Sequence, residues 1–276
     1  MIYGLGASAL GFAIRHGGLA SFGHAAFFGL GAYAVLAANL AGLKDAFIVW
    51  PLAIGFVAMV ATLIGLLSLR TRGVSFIMLT LGFAQMFFIV VSSIQGFGAA
   101  DGKALPERNS IAGLSIADTV TFHYVVLAVL VAISFVIYRL SHASMGAVLR
   151  GIACDERRMR ALGFRTPRLQ LLSFVFSAAA TAVAGILAAN YYYFVSPSYL
   201  HWIMSGDLLA MAALGGIGSL YGGMFGAFVL VIVEVILAPY TTYWRLFLGL
   251  LIVLSVLLFD RGVHPALNRA LGGRDD

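Results

Sequence analysis

The sequence of residues 169–206, LQLLSFVFSAAATAVAGILAANYYYFVSPSYLHWIMSG, contains no Asp, Glu, Lys or Arg. A helix that spans a membrane needs about 20 consecutive, predominantly apolar residues, so this stretch is long enough to cross a bilayer. Other stretches free of these four residue types lie at 16–43, 46–69, 73–100, 119–138 and 208–233, with shorter ones at 1–14 and 246–259. Apolar residues make up 62% of the chain and charged residues 10%, whereas soluble proteins carry about 25% charged residues. The composition therefore indicates a protein whose main solvent is lipid.

Helices are the expected form of these stretches, because backbone N–H and C=O groups left unpaired in hydrocarbon are costly. The sequence predicts an all-α, polytopic integral membrane protein with about 8–10 transmembrane helices and glycine-rich breaks. The predicted spans lie near residues 1–14, 19–41, 47–69, 74–95, 120–140, 168–190, 202–217, 223–238 and 244–260.

The distribution of charge predicts which side of the membrane each loop occupies. Residues 139–168 hold seven of the seventeen basic residues, which is typical of a cytoplasmic loop. On this basis we expect a transmembrane domain (1–262) with a cytoplasmic loop (141–168) and an extracytoplasmic loop (97–118), followed by a cytoplasmic tail (263–276). The same rule accounts for the net charge of +6, so no nucleic-acid partner is predicted. Nine spans would place the N-terminus outside, and we therefore expect one further helix upstream.

Two glycine-dense segments interrupt the apolar stretches. They are Gly17-Gly18-Leu19-Ala20-Ser21-Phe22-Gly23-His24 and Gly215-Gly216-Ile217-Gly218-Ser219-Leu220-Tyr221-Gly222-Gly223. In both, a Gly-Gly pair is followed by Ser three residues later. Paired interruptions of this kind favour discontinuous helices around a central pathway. Close packing of helices through small residues is the alternative, and both interpretations remain open.

Apolar residues recur at helical spacing within the cytoplasmic loop, with charged residues between them. They are Met145, Val148, Leu149, Ile152, Met159 and Leu162. Ser144 is placed to cap the helix and Gly163 to end it in the left-handed conformation. Thr166 is expected to be the N-cap of the next span and Pro167 its first helical residue. The pattern predicts a short amphipathic helix or helix pair. Three interpretations of such an element remain open. It can lie on anionic lipid, it can be an ordinary solvated loop, or it can fit a groove on a partner protein.

Several motifs occur in a fixed order between Gly17 and Gly262. They are Ser21-Phe22-Gly23-His24-Ala25-Ala26-Phe27-Phe28-Gly29 with Gly31-Ala32-Tyr33; Arg70-Thr71-Arg72-Gly73-Val74-Ser75-Phe76 with Thr80-Leu81 and Phe83-Ala84-Gln85-Met86; Gly146 to Gly163 with Leu149-Arg150 and Asp155-Glu156; Ser205-Gly206-Asp207-Leu208-Leu209; Gly215-Gly216-Ile217-Gly218-Ser219; Glu234; and Phe259-Asp260-Arg261-Gly262. In this order they resemble the branched-chain amino acid ABC permeases of the LivM type, a family that includes urea-transport relatives. One departure is Gly98-Ala99-Ala100-Asp101-Gly102, where the family tends to carry Gly-Gly-Asp-Asp-Gly.

The resemblance implies the membrane-spanning permease subunit of an ABC importer for branched-chain (hydrophobic) amino acids, in which separate ATPase subunits drive alternating access. The implied partners are a second homologous permease, two ATP-binding ATPase subunits, a periplasmic or extracellular substrate-binding protein and the lipid bilayer. The implied location is the bacterial plasma (inner) membrane, with the C-terminus in the cytoplasm. The residues expected to couple the loop to the ATPase are Gly146, Leu149, Arg150, Ile152, Asp155, Glu156, Leu162 and Gly163.

Polar and small residues in the spans are candidates for a substrate pathway. They are Ser21, Gly23, His24, Tyr33, Gln85, Ser219 and Glu234. At His24 the N-terminus of a half-helix can present N–H groups to a substrate carboxylate, and the alternative is a packed histidine. Glu234 either holds two helices together or lines the pathway, because a mid-membrane carboxylate costs about 2.5–3.5 kcal/mol and usually faces protein or water. Asp207 is expected in the first turn of its span, where its negative charge would interact favourably with the helix dipole.

Motifs for ATP hydrolysis and for metal binding are absent from the sequence. It contains no Gly-x-x-x-x-Gly-Lys-Ser/Thr phosphate-binding motif, and its six histidines show no metal-ligand spacing. The sequence therefore predicts no enzyme, cofactor or metal site. The alternative functions are an ABC permease for urea or short amides and, in a different class, an ATP-independent secondary transporter with coupling-ion ligands in its spans.

Overall fold

The computed structural model describes residues 1–111, 114–115, 118–216, 219, 221–241 and 243–258. Within these residues lie the α-helices α1 (Ile2–Gly17), α2 (His24–Leu40), α3 (Ala46–Ser68), α4 (Val74–Ser93), α5 (Thr119–His142), α6 (Ser144–Cys154), α7 (Glu156–Ala161), α8 (Thr166–Tyr192), α9 (Trp202–Gly215), α10 (Gly222–Leu237) and α11 (Trp244–Leu258). Each predicted span corresponds to one of them, and the predicted all-α polytopic membrane fold is confirmed. The end of the span at 244–260 and the predicted tail at 263–276 lie outside the described residues.

The helices differ in how much of a bilayer they can cross. Among the described residues, α3, α4, α5 and α8 are long and apolar enough to span it, whereas α2, α9 and α10 are apolar but shorter. With 14 residues, α9 is about 21 Å long, less than the hydrocarbon thickness of about 30 Å. The span predicted to begin at residue 19 becomes helical only at His24, because residues 18–23 form a non-helical break.

Helix α8 lies at the centre of the fold. In an 18-residue apolar segment of α8, 72% is buried. The corresponding share is 17–28% in α3, α4 and α5. Helices α1, α2 and α3 pack directly on α8, and α9 and α10 pack on α1. Large apolar side chains on the outer faces of α3 and α5, such as Phe47 and Tyr124, are about two-thirds exposed. A surface of exposed apolar side chains is suited to contact with lipid.

Glycines allow α2 to approach α8 closely. A β-carbon added at Gly31 would overlap the backbone of Ala182 on α8, and one added at Gly185 would overlap the carbonyl group of Phe28 on α2. Small interfacial residues let helix backbones meet in this way. The contact fixes the position of α2 relative to the central helix.

In the part of the chain that the structure describes, four two-residue strands lie between the helices: β1 (Lys103–Ala104), β2 (Ser110–Ile111), β3 (Leu114–Ser115) and β4 (Phe194–Val195). Strand β1 pairs antiparallel with β4, and β2 pairs antiparallel with β3. The predicted extracytoplasmic loop is also attached to α8 by Arg108, whose Nε donates to the carbonyl of Asn190 at 2.8 Å. The guanidinium carbon of Arg108 lies 4.5 Å from the ring centroids of both Phe122 and Tyr193.

Replacing Gly185 by Val should destabilise the protein, because α8 would have to move away from α2. We expect a loss of about 1–3 kcal/mol, the range seen for overpacked cores. The measurement is the thermal unfolding temperature of the purified protein in detergent. Gly82→Val is the matched control, because a β-carbon at this exposed position on α4 meets no other described element within 4 Å. An equal loss in both variants would contradict the assigned contact.

Candidate functional site

The break between α1 and α2 begins where α1 ends in a left-handed residue. Gly18 has φ +65°, and the N–H of Leu19 donates to the carbonyl of Ala13 at 3.2 Å. Glycine adopts this conformation without the steric cost that a β-carbon brings. The chain then continues through residues 19–23 in non-helical conformation until α2 begins at His24.

The N-terminus of α2 is hydrogen-bonded to two other helices. The N–H of Ala25 donates to Ser205 Oγ on α9 at 2.8 Å, and the hydroxyl of Ser205 donates to the carbonyl of Phe22 at 2.6 Å. The N–H of Phe22 donates to Thr80 Oγ1 on α4 at 3.3 Å, while that of Gly23 donates to Ser21 Oγ at 3.0 Å. These four bonds satisfy backbone groups in the first turn of α2 and in the two residues before it, which the helix itself leaves unpaired.

His24 is fully buried and connects α2 to the central helix. Its Nε2 lies 2.8 Å from Ser177 Oγ on α8, and the hydroxyl of Ser177 donates to the carbonyl of Ala9 on α1 at 2.6 Å. Because the single hydroxyl hydrogen of Ser177 points to Ala9, His24 Nε2 carries the hydrogen and donates. The rings of Phe27 and Phe174 meet the imidazole edge-on, with centroids 5.8 and 6.0 Å away.

This arrangement bears on the two alternatives for His24. The structure brings Ser21, Gly23 and His24 together at the start of α2, where the N–H groups of Gly23 and Ala25 already donate to hydroxyl oxygens of the chain. A substrate carboxylate would have to displace those oxygens. In the conformation described, the bond to Ser177 and the edge-on ring contacts fit a packed histidine, while Nδ1 of His24 is buried without a hydrogen-bond partner among the described residues.

The other pathway candidates lie in different parts of the fold. Tyr33 is buried on α2 against Phe97, with ring centroids 5.8 Å apart, and Gln85 is partly buried on α4. The Tyr33 hydroxyl and Gln85 Oε1 have no hydrogen-bond partner among the described residues. Ser219 lies in the turn between α9 and α10, and Glu234 lies in the last turn of α10.

The sequence did not predict the partners of the α2 N-terminus. Thr80 and Ser205 occur in two of the motifs that carry the family resemblance. Their presence in these motifs was the only feature of the sequence that could have pointed to them. Ser177 gave no signal, because it is one of several small polar residues in α8. The expected position of Asp207 is wrong: α9 begins at Trp202, so Asp207 is exposed in the second turn, and His201 caps the helix.

Helix α6 packs its buried face against the membrane helices. Gly146, Leu149 and Ile152 are buried, and a β-carbon at Gly146 would overlap carbonyl groups at the end of α5. Arg150 also points inward, with Nη1 donating to the carbonyl of Ser141 at 2.7 Å and lying 3.4 Å from His16 Nε2 on α1. These four predicted coupling residues therefore hold the loop to α1 and α5.

The helix pair α6–α7 is interrupted at Asp155, whose carboxylate accepts from the N–H of Arg158 at 3.1 Å and caps α7. Gly163 ends α7 with φ +90°, and the N–H of Phe164 donates to the carbonyl of Met159, as the sequence predicts for a glycine-terminated helix. The predicted cap by Ser144 is wrong, because Ala143 occupies that position and no side chain caps α6.

Glu156 is the centre of a polar cluster that joins α7, α8 and the turn before α4. One oxygen, Oε1, pairs with Arg160, lies 2.9 Å from Arg72 Nη2 and accepts from the hydroxyl of Thr166 at 3.0 Å. Thr166 was expected to cap α8, but it is the first helical residue and uses its hydroxyl here instead. Partial burial alone would raise the pKa of Glu156, but the bonds from Arg160 and Thr166 and the charge of Arg72 lower it below 4.5.

The outward face of α7 differs from the face that periodicity predicted. Leu162 is 66% exposed and Phe164 is 41% exposed, and Arg157, Arg158 and Asp155 are exposed beside them. Periodicity placed Leu162 on the same face as the buried Leu149, but the interruption at Asp155 separates the two. Of the predicted coupling residues, Asp155, Leu162 and Gly163 therefore face outward.

A cavity of about 260 Å³ lies between α6–α7, the break after α1 and the turn between α3 and α4. Leu19, Phe76, Ile77 and Ile152 contribute apolar walls, and the paired charges of Arg72 and Glu156 contribute a polar side. No group of three or more His, Cys, Asp or Glu side chains in the described part of the chain could hold a metal ion.

The apolar helices, the interruption before α2 and the attached helix pair define a multi-pass membrane protein built as a transport permease. Residues 1–256 match the sequence model of the family described as "Branched-chain amino acid transport system / permease component". The chain belongs to this family of ABC importer permease subunits, and the resemblance found in the sequence is confirmed.

Three relatives illustrate the range of similarity. The chain is 29% identical over 289 residues to the "High-affinity branched-chain amino acid transport system permease protein LivM" of Escherichia coli (strain K12), covering 96% of this chain and 67% of that protein. It is 31% identical over 159 residues to the permease protein LivH of the same strain, covering 57% and 50%. It is 26% identical over 150 residues to the "Autoinducer 2 import system permease protein LsrC" of Escherichia coli O9:H4 (strain HS), covering 51% and 44%. No solved structure matches the chain.

Replacing Ser205 by Ala should weaken the attachment of α2, because it leaves the buried N–H of Ala25 and carbonyl of Phe22 without their partner. We expect a loss of about 1–3 kcal/mol per unpaired buried group. The measurements are thermal unfolding and faster hydrogen exchange at the Ala25 amide. Ser92→Ala on α4 is the control, because its exposed hydroxyl donates to a carbonyl of its own helix. Unchanged exchange at Ala25 would contradict the assigned bond.

The lowered pKa of Glu156 predicts a pH dependence of stability. A carboxyl group whose pKa is lower in the folded state stabilises the fold above its ordinary pKa of 4.5, and this contribution is lost as the pH falls through the folded-state value. Wild type should therefore be more stable than Glu156→Gln at neutral pH, and the difference should shrink below pH 4.5. Thermal unfolding in detergent across this range measures the difference. A gap that widens as the pH falls would contradict the assignment.

Proposed function

We propose that this chain forms one of two membrane-spanning subunits of an importer for branched-chain, hydrophobic amino acids, driven by ATPase subunits on separate chains. It lies in the bacterial plasma (inner) membrane with its C-terminus in the cytoplasm, and a substrate-binding protein delivers the amino acid from outside. The substrate is supported by the names of LivM and LivH, which are both branched-chain amino acid permease proteins. Similarity to both supports a second, homologous permease as the partner.

The observation that carries the proposal is the contact between α6 and the break before α2. The Cα atom of Ala153 on α6 lies 3.4 Å from the position of a β-carbon added at Gly18. Arg150 ties the same helix to α1 and α5. A force on α6 therefore acts on the break at which α2 begins, and packed helices respond to such forces by small rigid shifts.

The outward side of α7 and of the turn that follows it is the proposed ATPase-docking surface, consisting of Arg157, Arg158, Leu162 and Phe164. Leu162 and Phe164 supply an apolar centre, and the two arginines supply a basic rim. A helix that docks in a groove has this composition. The exposed carboxylate of Asp155 disfavours a lipid surface, and the exposed Leu162 and Phe164 are unusual for an ordinary solvated loop.

The substrate pathway is proposed to pass the start of α2. The buried Tyr33 hydroxyl and Gln85 Oε1 offer polar atoms without partners in the described residues. When α4 and α9 move relative to α2, the N–H groups of Phe22 and Ala25 are released from Thr80 and Ser205. They can then face the carboxylate of an amino acid, as half-helix N-termini do in other transporters.

The docking assignment predicts that Leu162→Asp abolishes co-purification of the ATPase subunits and reduces transport, because a charge replaces the apolar centre of the surface. Membrane insertion and the thermal stability of the permease alone should not change, since Leu162 is exposed. Leu43→Asp is the matched control, because Leu43 is 44% exposed in the loop between α2 and α3, away from α7. Normal ATPase co-purification with Leu162→Asp would overturn the assignment.

Uptake assays on the reconstituted complex distinguish the proposed function from its alternatives. Uptake of labelled leucine should require both the ATPase subunits and ATP. Uptake that persists without them would favour a secondary transporter. Competition by urea or a short amide, but not by valine or isoleucine, would favour the urea and amide branch of the family.

A further inference from the structure

The cavity beside α7 adjoins the contact between Gly18 and Ala153, but it contains none of the residues of the proposed docking surface and none of the substrate-pathway candidates. It opens next to the cytoplasmic helix pair, and Arg72, which contributes to it, belongs to the turn between α3 and α4. At about 260 Å³ it is slightly smaller than the cavities of about 300–1,000 Å³ that hold drug-sized ligands. Its size therefore suits a small molecule of fewer atoms.

The two charged side chains of the cavity retain binding capacity. The contacts of Glu156 with Arg72, Arg160 and Thr166 all use Oε1, so Oε2 makes no polar contact with the described residues. Arg72 has a guanidinium with five N–H donors, and Glu156 is its only ion-pair partner among the described residues. A ligand that carries both a carboxylate and an ammonium group can bind both side chains without adding net charge to the cluster.

Apart from Thr71 and Gln170, the remaining lining of the cavity is apolar and suits a hydrocarbon group. Leu19, Phe76, Ile77 and Ile152 line the cavity, and Leu19, Phe76 and Ile152 are themselves buried in the fold. A branched aliphatic side chain in contact with them would be removed from water, which contributes about 25 cal/mol for each Å² of apolar surface. The charged pair and the apolar walls together match an aliphatic α-amino acid in its zwitterionic form.

We propose that this cavity binds a free aliphatic α-amino acid from the cytoplasm, and that the bound molecule slows transport. The identity of the ligand rests on the proposed function, since it is the transported class of substrate. The carboxylate binds Arg72, the ammonium binds Oε2 of Glu156, and the side chain contacts the apolar walls. The bound amino acid stabilises the arrangement of α7 and the α3–α4 turn that forms the cavity. Conformations that close the cavity are disfavoured by the same binding free energy.

The test measures initial uptake of labelled leucine into proteoliposomes that contain the full complex, either empty or preloaded with unlabelled leucine. With luminal leucine at about ten times its dissociation constant, the free fraction and hence the uptake rate should fall about tenfold. For each variant, the uptake rate into loaded vesicles is divided by the rate into empty vesicles. A change in basal transport then cancels from the comparison between variants. Arg72→Gln and the cavity-filling Ile77→Trp should bring the ratio close to one. Arg70→Gln, an exposed arginine outside the cavity, is the control and should keep the wild-type ratio.

The chemistry of the ligand is tested with two analogues loaded in place of leucine. Leucinamide lacks the carboxylate and 4-methylpentanoate lacks the ammonium group, so neither should inhibit. If a variant does not transport, thermal unfolding of the purified complex without binding protein replaces the uptake assay. Leucine should then raise the unfolding temperature of wild type and Arg70→Gln but not of Arg72→Gln.

The outcomes separate this inference from the proposed function. Failure of wild type to take up leucine into empty vesicles would overturn the proposed function, including the identity of the ligand. Normal uptake without inhibition by luminal leucine would overturn only the cavity proposal. Equal inhibition of wild type, Arg72→Gln and Ile77→Trp would place the inhibitory site elsewhere and would also overturn it.

Discussion

The N-terminus of α2 lies within the fold, and its backbone groups must find hydrogen-bond partners there because hydrocarbon supplies none. Ser205 and Thr80 provide these partners from α9 and α4, while Ser21 provides one from the break itself. The need to pair these groups sets the positions of both helices around α2. His24 extends the same network through Ser177 to the carbonyl of Ala9 on α1. A single interrupted helix thus determines how four others are arranged.

Two glycines at the contact between α2 and α8 permit this arrangement. Lipid chains are as apolar as the side chains, so close contact of backbones contributes more to helix association than burial from water does. Gly31 and Gly185 provide that contact between α2 and α8. The low exposure of α8 compared with α3, α4 and α5 follows, since the interrupted helix and its neighbours enclose it.

The helix pair α6–α7 serves two physical roles with different residues. Arg150 and Glu156 make their contacts inside the chain and hold the pair to α1, α5 and the turn before α4. Leu162 and Phe164 are exposed and present an apolar surface outward. A charge change at Arg150 or Glu156 therefore acts first on the permease itself, whereas a change at Leu162 acts first on whatever binds the exposed surface.

The sequence by itself determined the approximate positions of the membrane-spanning helices in the described part of the chain, because apolar stretches and glycines act locally along the chain. It also determined where α7 ends, since Gly163 takes a conformation that other residues resist. Tertiary structure alone decided the partners of α2, which lie 58 to 183 positions away in sequence. Periodicity also did not give the outward side of the loop, because the local cap of Asp155 on the N–H of Arg158 interrupts the helix and separates Leu162 from the face of Leu149. Hydrophobic periodicity predicts which residues share a face only within a continuous helix. It predicts neither the orientation of residues beyond an interruption nor the contacts between distant segments.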